Sequence, residues 1–173
     1  MTILTIDRGK ALLWIEALES GRYVQGQTVT RHRRADGVVV HCGVGVGEDV
    51  AMRHGAPLQI SPVGTFETSD ADIDRGHVAV ASEWFGGDLH VLIAYSTLPA
   101  WLRALVEVAV ASGRKYQLVP PGHALLWELN DTGIALDVQG AVLRCQLGIG
   151  RDRVPGTAEH AAAQAARREL CAA

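Results

Sequence analysis

The sequence predicts an α+β fold: a mixed, largely antiparallel sheet of hairpins with helices packed on it and an αα-hairpin near the C-terminus. Three observations carry this. Val38, Val39 and Val40 run into alternate glycines at Gly43, Gly45 and Gly47 and then into a stretch of helical composition, giving strand, permissive turn and helix. The pairs Asp36-Gly37 and Gly86-Gly87 each separate runs that read as strands. Apolar residues also return at helical spacing near the N-terminus, after Pro99 and after Gly122. A chain of 173 residues, 48% of them hydrophobic, suffices for one core. The expected division is a single domain over 1–154 and an alanine-rich helix or tail over 155–173.

In chain order, Asp7 is placed to cap a helix that ends at Gly21, with Ala11, Leu12, Trp14, Ile15 and Leu18 as its apolar stripe. Residues 22–34 suit a strand, and the Asp36-Gly37 turn returns the chain into Val38–Val40 as a hairpin. Residues 58–75 hold turn formers and an acidic run at Asp70, Asp72 and Asp74, which reads as a solvated loop. Residues 77–95 read as a second hairpin across Gly86-Gly87, central to the sheet. Thr97 or Leu98 then caps a helix with Pro99 in its first turn, Leu102, Leu105, Val106 and Ala109 on one face and Gly113 at its end. After Pro120-Pro121-Gly122, two helices meet at Asp131-Thr132-Gly133 as the αα-hairpin. Thr157 caps the final alanine-rich helix.

Composition narrows the function. A net charge of -3 gives no basic field over the whole surface for binding nucleic-acid backbones, so specific DNA is the less favoured partner. Cys42, Cys145 and Cys171 are an odd set without CxxC spacing, as expected in a reducing compartment. No basic segment leads into a long apolar one and no run spans a bilayer, so the expectation is a cytoplasmic protein without a membrane partner.

Three phrases carry a resemblance. They are Trp14-Ile15-Glu16-Ala17-Leu18-Glu19-Ser20-Gly21-Arg22-Tyr23 followed by Gln25-Gly26, then His41-Cys42-Gly43-Val44 leading to Glu48 and Ala51, and Leu129-Asn130-Asp131-Thr132-Gly133. In this order they resemble a group of small tailed-phage and prophage proteins, of which the present sequence keeps only Cys42 of a cysteine pair. The resemblance implies a phage-type accessory protein in the host cytoplasm and supplies no activity.

The motifs are sparse. Glu48 stands where the third glycine of a dinucleotide loop belongs, so Gly43, Gly45 and Gly47 read as glycines for close packing and a tight turn. His32, His41, Cys42 and His54 match no metal-ligand spacing, and His41 and Cys42 point to opposite faces of a strand, which denies Cys42 a base. No metal, cofactor or catalytic residue is therefore assigned. The αα-hairpin has the rhythm of a helix-turn-helix, but its second helix offers mainly Asp137, Gln139, Arg144 and Gln146, and core packing explains it better. The remaining feature is Arg31, His32, Arg33 and Arg34. Guanidinium groups hold phosphate oxygens through paired hydrogen bonds, and with Trp84, Phe85 or Tyr95 as a stacking surface they form the candidate ligand site. The expected function is sequestration of a small phosphorylated, nucleotide-like ligand, or binding of a host protein, without catalysis. It has a counter-defence setting and a homo-oligomer among the expected states. A DNA-binding regulator and an enzyme acting on a nucleotide are the alternatives.

Overall fold

The computed structural model describes residues 6–27, 30–69, 76–113 and 119–172. Helix α1, Arg8–Glu19, is capped by Asp7, whose Oδ1 accepts the Lys10 amide at 2.9 Å. Strands β1 (Val24–Gln25), β2 (Arg31–Arg33) and β3 (Val39–His41) make one small sheet in the order β1-β3-β2, with β1 parallel and β2 antiparallel to β3. The turn after β2 closes through Gly37, at φ 84°, as the Asp36-Gly37 pair implies. Helix α2, Gly43–Arg53, follows. Strands β4 (Leu58–Ile60) and β5 (Phe66–Thr68) pair with each other within the stretch read as loop, and the acidic run at Asp70, Asp72 and Asp74 lies outside the described residues.

Residues 77–95 do not form a hairpin. His77–Phe85 is helix α3, and Gly86, at φ 76°, ends it: its amide and that of Gly87 donate back to the carbonyls of Glu83 and Ser82. This is the Schellman arrangement, which uses a glycine pair as readily as a tight hairpin does. His77, Val80, Ala81, Trp84 and Phe85 also fall on one helical face, a period that the Val-Ala-Val-Ala alternation hides. Strand β6, Leu92–Ala94, instead pairs with a distant partner, β7, His123–Leu125, a stretch that the sequence predicts as helix. Among the described residues the α+β class holds, with helices packed on three small, mostly antiparallel sheets rather than on a single mixed sheet.

Between β6 and β7 runs α4, Ala100–Gly113. It buries Leu102, Val106 and Val110, while Leu105 is exposed. Helices α5 (Leu126–Asp131) and α6 (Leu136–Leu147) form the αα-hairpin, and α7, Ala158–Ala172, is capped by Thr157, whose Oγ1 accepts the His160 amide.

Helix α2 is the axis of the core. Every residue from Gly43 to Ala51 is buried, and its glycines admit neighbours on different sides. A Cβ on Gly45 would lie 1.6 Å from the Thr30 carbonyl oxygen, one on Gly43 2.1 Å from Gln139 Oε1, and one on Gly47 3.0 Å from the Trp14 ring. The glycines thus stand inside the helix rather than in a turn before it. Each weakens the helix by up to about 1 kcal/mol relative to alanine, which the close packing offsets. Trp14 is fully buried, donates from Nε1 to the Gly43 carbonyl at 2.9 Å and packs on Phe85 at 5.4 Å.

Candidate functional site

The predicted arginine site is divided by depth: Arg31 and Arg33 share one face of β2 with His32 on the other, Arg34 lies beyond the strand, and only Arg31 is buried. Arg31 turns inward, 7% exposed; its guanidinium donates to the Gly64 carbonyl and lies 5.9 Å from the Phe66 ring. His32, Arg33 and Arg34 are exposed, with Arg34 paired to Asp36 at 3.0 Å across the turn and Arg33 reaching the Gly37 carbonyl at 3.5 Å. The aromatic wall is divided too. Phe85 is fully buried against Trp14 and Trp84 and offers no open face, because helix α3 turns it into the core. Tyr95 sits at the end of β6, where its amide donates to the Gly122 carbonyl. Trp84 carries Lys10 over its ring at 4.4 Å and stacks on His54 at 6.0 Å.

His54 leads to a better-built place. On the face of the small sheet opposite Val40, a pocket of about 400 Å³ opens between α1, β1, β3 and the C-terminal end of α2. Leu13, Ala17, Val24, Val39 and Val50 supply apolar lining, and Glu16, Arg22, Tyr23, His41, Arg53 and His54 supply the polar groups. Beneath them Asp49, nearly fully buried, accepts from the Tyr23 hydroxyl at 2.5 Å and from Arg53 Nε at 2.6 Å. The Arg53 side chain remains 67% exposed, so Asp49 anchors one edge of the guanidinium while the rest faces outward. Arg22 and Arg53 both line the pocket, and each opposes the rise that burial and Asp49 impose on the Tyr23 hydroxyl.

His41 is the unusual member. It is 7% exposed, edge-on to Tyr23 at 5.2 Å, and neither ring nitrogen has a hydrogen-bond partner among the described residues. Burial first, with Arg31 and Arg53 adding repulsion and Asp49 opposing, lowers its pKa from 6.5 to about 4, so the imidazole is neutral. Burial and the bond to Asp49 push Tyr23 up to about 12, so it remains a donor. Behind the Phe66 ring a second buried acid, Glu48, bonds to His77 Nδ1 through one oxygen, and its other oxygen has no partner among the described residues. That bond raises the His77 pKa.

Cys42 has the other orientation, as strand alternation requires. It caps α2 through Sγ, which accepts the Gly45 amide at 3.3 Å, and burial raises its pKa, which leaves a packed thiol rather than a nucleophile. The N-terminus of α2, where a phosphate would sit in a dinucleotide fold, is filled by Gln139 and Leu126. Of the polar groups on α6, Gln139 and Arg144 are buried, Gln146 accepts from the Ala94 amide and the Thr97 hydroxyl, and the exposed Asp137 is an anion.

The sequence reading misses Tyr23, Asp49 and Arg53. One signal is present: Glu48-Asp49 interrupts a stretch otherwise of glycine and apolar residues, and Asp49 and Arg53 stand at i, i+4. Nothing in the sequence pairs Glu48 with His77. No described helix is long and apolar enough to cross a membrane. No protein-family model, no curated protein and no solved structure matches the chain.

Proposed function

We propose that the chain binds a small phosphorylated, nucleotide-like ligand in the pocket between α1, β3 and α2 and leaves its bonds intact. The observation that carries this reading is His41, a buried imidazole on the pocket wall with both nitrogens unpartnered among the described residues. A buried polar group without a partner costs roughly 1–3 kcal/mol, and a ligand group that reached one of the two ring nitrogens would reduce that cost. Arg22 and Arg53 supply the charge for a phosphate, and the aliphatic lining suits the flat face of a ring.

Binding is favoured over turnover by the same groups. A general acid or base works best with a pKa near the operating pH, whereas His41 lies at about 4 and Tyr23 at about 12. Neither is poised to move a proton at neutrality. The resemblance to tailed-phage proteins supplies a setting in which such a protein withholds a signalling nucleotide or engages a host factor, and both remain proposals.

A thermal-shift panel of linear and cyclic nucleotides, ADP-ribose derivatives and duplex DNA tests the reading. A ligand at a hundredfold excess over its Kd adds about 2.7 kcal/mol to stability and raises the midpoint. The expected result is a nucleotide-dependent rise that the double substitution Arg22→Gln, Arg53→Gln removes. The introduced side-chain amide can still donate to Asp49 but removes the charge beside this buried carboxylate, so the unliganded midpoint should fall, and the test reads the loss of the nucleotide-dependent rise above each protein's own midpoint. A response to DNA alone, or turnover of the bound nucleotide, contradicts the reading.

A further inference from the structure

Arg31 is a buried cation without an anion. It forms no ion pair with any described residue, its Nε has no partner, and its guanidinium is left with the Gly64 carbonyl and the ring of Phe66. Asp49 favours its charge from nearby, but Asp49 Oδ2 accepts from Tyr23 and Arg53 instead. The other buried arginine among the described residues, Arg144, holds both oxygens of Glu19. A cation taken out of water is costly unless an anion and hydrogen bonds compensate it. Arg31 has half of that compensation.

Its surroundings name what would supply the rest. Arg33 stands exposed on the same face of β2, and burial, followed by the charge of Arg33, lowers the Arg31 pKa. An anion between them would relieve both effects. Over the two arginines lies the turn that joins β4 to β5, closed by the Gly64 amide donating to the Ser61 carbonyl at 2.9 Å, with Val63 at its tip 75% exposed. Gly64, at φ 89°, seats that turn: a Cβ there would lie 3.3 Å from Arg33 Cβ and 3.4 Å from Arg31 Nη1. The Gly64 carbonyl is a single neutral acceptor. A phosphate or sulfate offers several charged oxygens, accepts from Nε and a terminal nitrogen of one guanidinium together, and has oxygens left for a second. We propose that Arg31 and Arg33 form a binding site for a tetrahedral oxyanion, whose place the Gly64 carbonyl holds until the β4–β5 turn lifts. The site is separate from the pocket between α1, β3 and α2, whose lining includes neither arginine.

Arginine side-chain NMR of the unmodified full chain tests this, with inorganic phosphate in one titration, phenyl phosphate in a second and sodium chloride of equal ionic strength in a third. The expected result is a saturable shift of the Arg31 Nε–Hε signal with phosphate and none with chloride. Movement by inorganic phosphate identifies a free ion, and movement by phenyl phosphate alone identifies the end group of a phosphorylated molecule. Arg31→Met, which keeps the apolar stem against Phe66, should lower the affinity for whichever anion binds by at least about tenfold, equivalent to about 1.4 kcal/mol. The titrations contain no nucleotide, so a pocket that binds none leaves their result standing. An Arg31 signal that neither phosphate moves, one that chloride moves equally, shifts confined to Arg22 and Arg53, or a folded Arg31→Met with undiminished affinity overturns the proposal.

Discussion

Two buried charged regions meet α1 and α2, and they are finished differently. In the seam between α1 and α6, Arg144 is 1% exposed, and its Nε and a terminal nitrogen donate to the two oxygens of Glu19 at 2.6 and 2.7 Å, while another reaches the Ile149 carbonyl. The guanidinium is held on several sides, as a structural ion pair in a core must be. Around β3 and the middle of α2, by contrast, Arg31 Nε, both nitrogens of His41 and one oxygen of Glu48 have no partner among the described residues. Gln139 Oε1 and Arg151 Nε are likewise unpartnered among the described residues, so what sets His41 apart is that it alone of these residues lines the pocket.

The comparison breaks most severely if the packing that both regions share is disturbed. Gly45→Ala drives a methyl group into the Thr30 backbone, so its cost should exceed the ~1–3 kcal/mol of ordinary overpacking and leave little soluble protein. Expression and circular dichroism check this. Glu19→Gln comes next: it strips the charge from the partner of the buried Arg144 and should lower stability by roughly 3 kcal/mol in urea unfolding. His41→Phe should have a small or even favourable effect in the same measurement, because it removes orphaned nitrogens and keeps a ring against Phe66 and Tyr23. A loss as large as that of Glu19→Gln would erase the distinction between the two regions.

The same contrast extends to pH dependence. His41 has a folded pKa depressed to about 4 from 6.5, so its contribution is complete above pH 6.5 and is lost as pH falls toward 4. His77, raised by Glu48, has the opposite sign: its contribution is complete below 6.5 and is lost as pH rises through its folded value. Thermal midpoints of His41→Phe should therefore decline less between pH 6.5 and 4 than those of the parent chain. An unchanged acid limb would show that the imidazole is not held neutral.

Much of the frame was legible where one local signal decides. Asp7 as cap and Gly37 in the hairpin turn each act within a few residues, and each behaves as its chemistry dictates, while Pro99 stands just before α4 rather than in its first turn and accepts the Arg103 amide. The stretch 77–95 was not legible, because a glycine pair after alternating valines serves a Schellman cap as well as a hairpin. The actual partner of β6 lies across α4 and leaves no local trace. The pocket was hidden for a related reason. Tyr23, His41 and Arg53 come from separate parts of the chain, and the arginine cluster that stood out in the sequence is split by burial, with Arg31 held inside the fold and Arg33 and Arg34 left exposed.

The state of the His41 ring tests the central claim most directly. Nitrogen-15 imidazole spectra of the protein, recorded with and without a nucleoside monophosphate or a cyclic nucleotide, report whether its nitrogens gain hydrogen-bond partners. The account predicts a neutral His41 whose ring nitrogens shift on binding, together with the Arg22 and Arg53 side chains. Saturating nucleotide that leaves His41 unmoved, or that shifts only Arg33 and Arg34 on the hairpin, would contradict it.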